Sequence, residues 1–186
     1  MRRLRWREAS EPLDVLVVCT GNLCRSAMVE ALLRARLPAL LVASAGTGAP
    51  EGASPPPEVE QVLATRGVSV AGHRAHQLGA AQVGASRLIV TATAAHRTAC
   101  VVLDPSAQDR AYTLLELARL LGQPPAAGHD GTPAGVAAAA ARALAADRSE
   151  HDDDLGDPIG LPLAAYHRCL ATIETALGVL VPALGG

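Results

Sequence analysis

The chain has 186 residues, a hydrophobic fraction of 49% and a formal net charge of −2. That length can bury the core of one domain, and no apolar stretch approaches the roughly 20 residues that a membrane helix needs. The near-neutral balance argues against nucleic acid as the main partner. All 16 basic residues are arginine and phenylalanine is absent, a bias of composition rather than a sign of function.

Residues 1–12 begin with the basic run Met1-Arg2-Arg3-Leu4-Arg5-Trp6-Arg7-Glu8, with no apolar h-region behind it. They read as a flexible leader rather than a signal peptide, and the domain is expected to span 13–186. Residues 13–19 read as a buried strand. Residues 26–37 read as a helix, with apolar positions recurring at three and four and Pro38 past its end. A second strand is expected over 40–44, a proline-rich loop over 51–57, and a helix over 57–66 stopped by Gly67. A third strand follows at 87–91 with a helix behind it at 94–103. A short fourth strand at 111–113 leads into a helix at 114–121, and a long helix over 163–180 closes the chain. Strands alternating with helices predict an α/β fold, a parallel sheet with helices on both faces.

Residues 123–154 break this alternation. Pro124-Pro125 and residues 128–135 are loop-like, and 136–146 form an alanine-rich helical pattern. The segment reads as an insertion making a mobile surface excursion. Without a secretory signal, the four cysteines are expected as free thiols in a reducing compartment, which implies a cytoplasmic protein. Cys19 and Cys24 lack a zinc spacing and no His/Cys cluster lies near them, so no metal is expected. Cys100 and Cys169 fall in helical apolar patterns and read as small core hydrophobes.

The chemistry lies in Val15-Leu16-Val17-Val18-Cys19-Thr20-Gly21-Asn22-Leu23-Cys24-Arg25-Ser26. A β-branched run feeds a loop bounded by a cysteine and an arginine, and a helix starts straight after. Such a loop can wrap one tetrahedral oxyanion such as phosphate, with backbone N–H groups and a positive helix N-terminus pointing at it. Arg25 can grip two oxygens with its planar fork, and the same field favours the thiolate of Cys19. A thiolate facing a bound phosphate is a nucleophile for phosphoryl transfer. Gly21 permits close backbone approach, Asn22 tolerates the left-handed region, and Ser26 can cap the helix and hydrogen-bond the thiolate.

Cleaving a phosphate ester also needs a proton for the leaving oxygen, which a carboxyl group above the phosphate can supply. Two Asp-Pro pairs are candidates, Asp104-Pro105 and Asp157-Pro158, because proline forces its predecessor extended and aims it. Asp104 reads as a turn residue. Asp157 lies in a mobile-looking loop before the last helix, flanked by Gly156 and Gly160 as hinges, and Asp152-Asp153-Asp154 read as a solvated acidic run.

These residues resemble the low-molecular-weight protein tyrosine phosphatase family, whose signature V-C-x-G-N-x-C-R-S this chain matches at every fixed position from Val18 to Ser26. Looser likeness covers Ser44-Ala45-Gly46-Thr47, Gly72-His73-Arg74-Ala75 and Asp157-Pro158-Ile159-Gly160. The resemblance implies a four-stranded parallel sheet with the phosphate-binding loop, Thr20, Gly21, Asn22, Leu23, Cys24 and Ser26, after the first strand. It implies a cysteinyl-phosphate intermediate on Cys19, oxyanion binding by Arg25 and Asp157 as general acid, with no metal or cofactor. It further implies that Asn22, Ser26, Ser44 and His73 brace the loop, although His73 also reads as a surface histidine. Finally it implies that Cys24 forms a reversible disulfide with Cys19, although Cys24 also reads as filler inside the loop. The expected partner is a phosphorylated protein or peptide, with no membrane.

The chain departs from the family where phosphotyrosine pockets carry aromatic walls: residues 48–54 and Ile159-Gly160 hold none. A ring substrate loses stacking worth roughly 0.5–1.5 kcal/mol per partner. His76 replaces a common arginine. The main expectation is hydrolysis of phosphotyrosine. The alternative is a protein arginine phosphatase of the same fold, although that sister group tends to carry threonine where Leu23 stands. A thioredoxin-coupled arsenate reductase ranks third, since Thr93 takes the place of one relay cysteine and only Cys100 remains. A non-catalytic phosphate-binding module ranks beside it.

Overall fold

A computed structural model describes residues 12–123, 128–147 and 151–185. The expected leader, apart from Pro12, and parts of the 123–154 segment lie outside the described residues.

The first strand, β1 (Leu13–Cys19), is an apolar run buried along nearly its whole length. A strand buried on both faces has to be central in a parallel sheet. It pairs in parallel with β2 (Val42–Gly46) on one side and β3 (Ser86–Thr91) on the other, and β4 (Ala111–Thr113) adds to β3, giving the order β2-β1-β3-β4. The chain leaves β1 toward β2 and later returns to its opposite side. The carboxyl end of β1 therefore lies at the point where the strand order reverses, where open α/β sheets bind ligands. Register sets Cys19 opposite Gly46 and Val18 opposite Thr91, so three strand ends meet at the loop after β1.

Successive β1 side chains face opposite layers. Val15, Val17 and Cys19 join the larger core with Met28 and Leu32 of α1 (Arg25–Arg36), Val59 of α2 (Pro57–Ala64), Leu117 of α5 (Leu114–Leu121) and Ile173 of α7 (Leu163–Ala183). Leu16 and Val18 face the smaller core with Val83 of α3 (Ala80–Ala85) and Cys100 of α4 (Ala94–Leu103). The expected α/β architecture is present. α3 has no counterpart in the sequence prediction, because six residues give too little periodicity to read. β2 lies two residues beyond its expected position.

The 123–154 segment differs from expectation. Its helix α6 (Pro133–Ala146) is packed, with Val136, Ala137, Ala139, Ala140 and Ala143 buried. Thr132 caps it by accepting from Gly135 N at 3.0 Å, and the Tyr112 hydroxyl donates to Ala137 O at 3.2 Å. Small side chains let the helix lie close to its neighbours, so α6, the described helix of this segment, is packed into the core rather than held off as a surface excursion. Among the described residues no helix is long and apolar enough to cross a membrane.

Candidate active site

The loop between β1 and α1 turns on Asn22, which takes a left-handed φ of 53°. A non-glycine residue there costs conformational energy and persists when its surroundings over-determine it. All the polar groups of the Asn22 side chain are engaged. Its Nδ2 donates to Ser26 Oγ at 2.9 Å and to Ser44 Oγ at 2.7 Å, and its Oδ1 accepts from His76 N at 2.9 Å. Its carbonyl accepts from His73 Nε2 at 2.8 Å. Ser44 Oγ donates to Glu30 Oε2 at 2.6 Å, and His73 Nδ1 lies 3.4 Å from the same oxygen. Asn22, Ser44, Glu30 and His73 thus form a closed ring. Burial alone would raise the Glu30 carboxyl, but hydrogen bonds from His73 and Ser44, with Arg34 beyond them, outweigh it and hold the carboxyl below its ordinary value.

Gly46 lets the loop lie against the end of β2. A Cβ there would sit 2.4 Å from Thr20 O and 2.9 Å from Asn22 N. Both are backbone atoms, so any side chain at this position displaces the loop itself.

Cys19 closes β1 with its Sγ 3.0 Å from Ser26 Oγ. Because Ser26 Oγ already accepts from Asn22, its own hydrogen is available to the sulfur. The backbone N–H groups of Thr20, Gly21, Asn22, Leu23 and Cys24 donate no hydrogen bond to an acceptor among the described residues. N–H groups in a folded loop are rarely left without an acceptor, and a run of them beside a helix N-terminus suits an anion.

Arg25 opens α1 and is only 5% exposed. Its Nη1 donates to Leu155 O at 3.1 Å, and its Nη2 donates to Asp157 Oδ2 at 2.5 Å and to Thr20 Oγ1 at 3.3 Å. Its Nε is buried without an acceptor among the described residues. Asp157 is therefore brought to the loop by the guanidinium. The segment carrying it is tied down rather than mobile. Thr113 Oγ1 donates to Asp153 O at 2.8 Å, Ala94 N to Asp154 Oδ1 at 2.7 Å, and Leu155 N to Ala92 O at 2.8 Å. The acidic run is thus partly structural, which sequence alone reads as solvated. Of the two expected hinge glycines, only Gly160 takes a positive φ, of 74°. Asp104 is a turn residue as expected, accepting from Ser106 N at 2.9 Å and pairing with Arg110 at 2.9 Å.

His96 completes the wall. Its Nε2 lies 2.9 Å from Thr20 Oγ1 and its Nδ1 2.7 Å from Thr93 Oγ1. Burial, with Arg25 beside it, lowers the imidazole against the pull of Asp154 and Asp157, so it braces the loop as a neutral ring. Cys24 is buried, and burial, with the charges of Asp157 and Cys19 adding, pushes its thiol up to about 12. Cys100 and Cys169 are likewise buried free thiols. In the turn after Asp157, where Ile159 N donates to Asp157 Oδ1 at 3.2 Å, Ile159 and Leu161 are about half exposed, at 49% and 52%.

The family model described as low molecular weight phosphotyrosine protein phosphatase matches residues 14–121. The chain belongs to this family. Among its curated relatives, "Probable low molecular weight protein-tyrosine-phosphatase EpsP" of Ralstonia solanacearum is 39% identical over 103 residues, 55% of this chain and 71% of that protein. A protein-arginine-phosphatase of Geobacillus stearothermophilus is 30% identical over 93% of this chain and 97% of its own length. The crystal structure of the tyrosine phosphatase AmsI of Erwinia amylovora superposes with a TM-score of 0.72 at 26% identity, covering 94% of this chain and 95% of that one.

In this low-molecular-weight phosphatase, the structure brings together Cys19, Arg25, Asp157, Asn22, Ser26, Ser44 and His73. It also brings in Glu30, Gly46 and His96, which sequence reasoning missed as parts of the site. Glu30 looks like half of an exposed i,i+4 pair with Arg34, which it also forms at 3.0 Å. Only the approach of His73 from a distant loop turns it into a buried brace. For His96 the sole local hint is its place three residues after the Thr93 cap of α4.

Proposed function

We propose that this phosphoric monoester hydrolase is a protein tyrosine phosphatase in which Cys19 is the nucleophile, Arg25 the oxyanion clamp and Asp157 the general acid. The observation that carries the proposal is the ring of unsatisfied donors around Cys19: the loop N–H groups and the buried Arg25 Nε, with Asp157 seated on the same guanidinium.

Cys19 attacks phosphorus in line, and the ester oxygen leaves with a proton from Asp157. The three equatorial oxygens fall among the loop N–H groups and Arg25, where charge spreads in the transition state. An entering phosphoryl group competes for Arg25 and frees Asp157 from the guanidinium, so that its carboxylate takes up from solvent the proton it then delivers to the ester oxygen. Water then attacks the cysteinyl-phosphate, and Asp157 takes its proton. Ser26 supports the sulfur as it leaves. Thr20 and Leu23 shape the loop rim, and Ser44 and His73 act through Asn22.

The rim supports an apolar leaving group. Leu23, Ile159 and Leu161 offer hydrocarbon, which suits a phenyl ring, while Asp157 is the acceptor that a guanidinium would need. A second reading, phosphoarginine, is favoured by the nearly full-length match to the arginine phosphatase. Steady-state hydrolysis of matched phosphotyrosine and phosphoarginine peptides separates them. The expected result is a higher kcat/KM for phosphotyrosine, and a preference for phosphoarginine would overturn the substrate assignment. The free thiols fit a reducing compartment, and we place the protein in the cytoplasm. There, peroxide would oxidise Cys19 to a sulfenic acid, which Cys24 converts to a disulfide with loss of water.

A further inference from the structure

We infer that His96 is a positioning residue for the oxyanion clamp: it fixes the Thr20 hydroxyl as the seat that holds Arg25 in place once Asp157 has let go. The inference rests on the assignment of Arg25 as that clamp.

One nitrogen of Arg25 serves both the loop and the acid segment. Its Nη2 donates to Asp157 Oδ2 at 2.5 Å and to Thr20 Oγ1 at 3.3 Å, while Nη1 donates to Leu155 O at 3.1 Å. An anion that displaces Asp157 leaves Thr20 as the protein's side-chain acceptor on Nη2. Thr20 is exposed, so packing does not choose its rotamer, and a turn about χ1 would swap the hydroxyl for the methyl group. The contact that chooses it is His96 Nε2, 2.9 Å from the same Oγ1. The ring is itself fixed. It is only 6% exposed, its Nδ1 lies 2.7 Å from Thr93 Oγ1, and Thr93 caps α4 by accepting from His96 N at 3.4 Å.

The seat works in either tautomer of His96. A hydroxyl has one hydrogen and two lone pairs. With the ring proton on Nε2, His96 and Arg25 each take a lone pair of Thr20. With it on Nδ1, Thr20 gives its hydrogen to Nε2 and keeps a lone pair for Arg25. Burial, with Arg25 beside it, keeps the ring neutral, so it stands next to the guanidinium without repelling it. The effect passes to the substrate through Arg25. It therefore falls on the anion oxygens that every substrate and the product share, and not on protonation of a particular leaving group.

The test is kcat/KM on p-nitrophenyl phosphate and on phenyl phosphate, with the phosphate inhibition constant, for wild type, His96→Leu, His96→Gln, Thr20→Val, His96→Leu/Thr20→Val and Arg25→Lys. His96→Leu is expected to lose roughly tenfold in kcat/KM on both substrates and to weaken phosphate inhibition by about as much. Glutamine keeps a polar group at about the reach of Nε2 and should stay within roughly threefold of wild type. Leucine is the better filler of a buried site, so a merely structural role predicts the opposite order. Thr20→Val should match His96→Leu, and the double variant should be no worse than either, because all three remove the same seat. Equal loss in the leucine and glutamine variants, additive losses in the double variant, or a loss confined to phenyl phosphate overturns the positioning role alone. So does unchanged phosphate inhibition in His96→Leu beside weakened inhibition in Arg25→Lys. Should His96→Leu fail to fold, the exposed Thr20→Val substitution carries the same reading, and unchanged phosphate inhibition there overturns the role. Phosphate inhibition left intact by Arg25→Lys overturns the clamp assignment and the inference with it.

Discussion

Replacing Cys19 by serine is expected to abolish turnover and leave anion binding intact. The substitution keeps the shape of the site and the hydrogen bond to Ser26, but it exchanges an ionisable thiol for a hydroxyl that needs a base to act. No base stands beside it: Ser26 Oγ already accepts from Asn22, and Asp157 serves the leaving-group oxygen on the far side of phosphorus from residue 19. Loss of a nucleophile that no neighbour can replace costs on the order of 10⁴–10⁶ in kcat. The donors that hold phosphate all belong to other residues, namely the loop N–H groups and Arg25. Calorimetric titration with inorganic phosphate should therefore give a Kd within a few-fold of wild type. Turnover in Cys19→Ser within tenfold of wild type would sink the nucleophile assignment. Loss of phosphate binding with the fold intact would mean that the thiol, not the loop, holds the anion.

The site was legible in the sequence where its parts are neighbours in the chain. Strand, loop and helix from Val15 to Ser26 are continuous, so β-branched residues, Gly21, Asn22 and the Cys–Arg spacing all speak about one place. Asp157 was legible because Asp-Pro has a local conformational meaning. Its attachment was not, because the partner that seats it is 132 residues away and the run before it contains carboxylates of opposite fate. Asp153 is half-buried on Arg119, Asp154 accepts from the start of α4, and Asp152 remains exposed. Three adjacent aspartates look alike until the fold distributes their partners. The packing of α6, expected as a helix over 136–146, was missed for a different reason. A helix with alanine at nine of its fourteen positions has little contrast between faces, so composition does not say whether it is packed or loose. Tyr112, Arg119 and the small size of alanine decide that together, and two of the three lie outside the segment.

Replacing Arg25 by lysine is the second large effect expected. The guanidinium does several jobs from one buried position: it presents Nε toward the loop, ties Leu155 O with Nη1, and holds both Thr20 and Asp157 with Nη2. An ammonium keeps the charge but has no fork, and it cannot reach two anion oxygens in parallel while keeping the Asp157 segment seated. Arginines that stabilise phosphoryl transfer are worth roughly 10³–10⁵ in rate, and lysine is expected to lose about 10³ of that in kcat/KM. The pattern of loss is as diagnostic as its size. Asp157→Asn spares p-nitrophenyl phosphate, whose leaving group needs little protonation, and leaves phosphate affinity alone. Arg25→Lys is expected to slow both substrates and to weaken phosphate inhibition, because the clamp acts on oxygens present in every substrate and in the product. It should also slow phenyl phosphate somewhat further, since the acid loses its seat. A lysine variant that slowed only poor leaving groups would reduce Arg25 to a support for Asp157 and return oxyanion binding to the loop N–H groups alone.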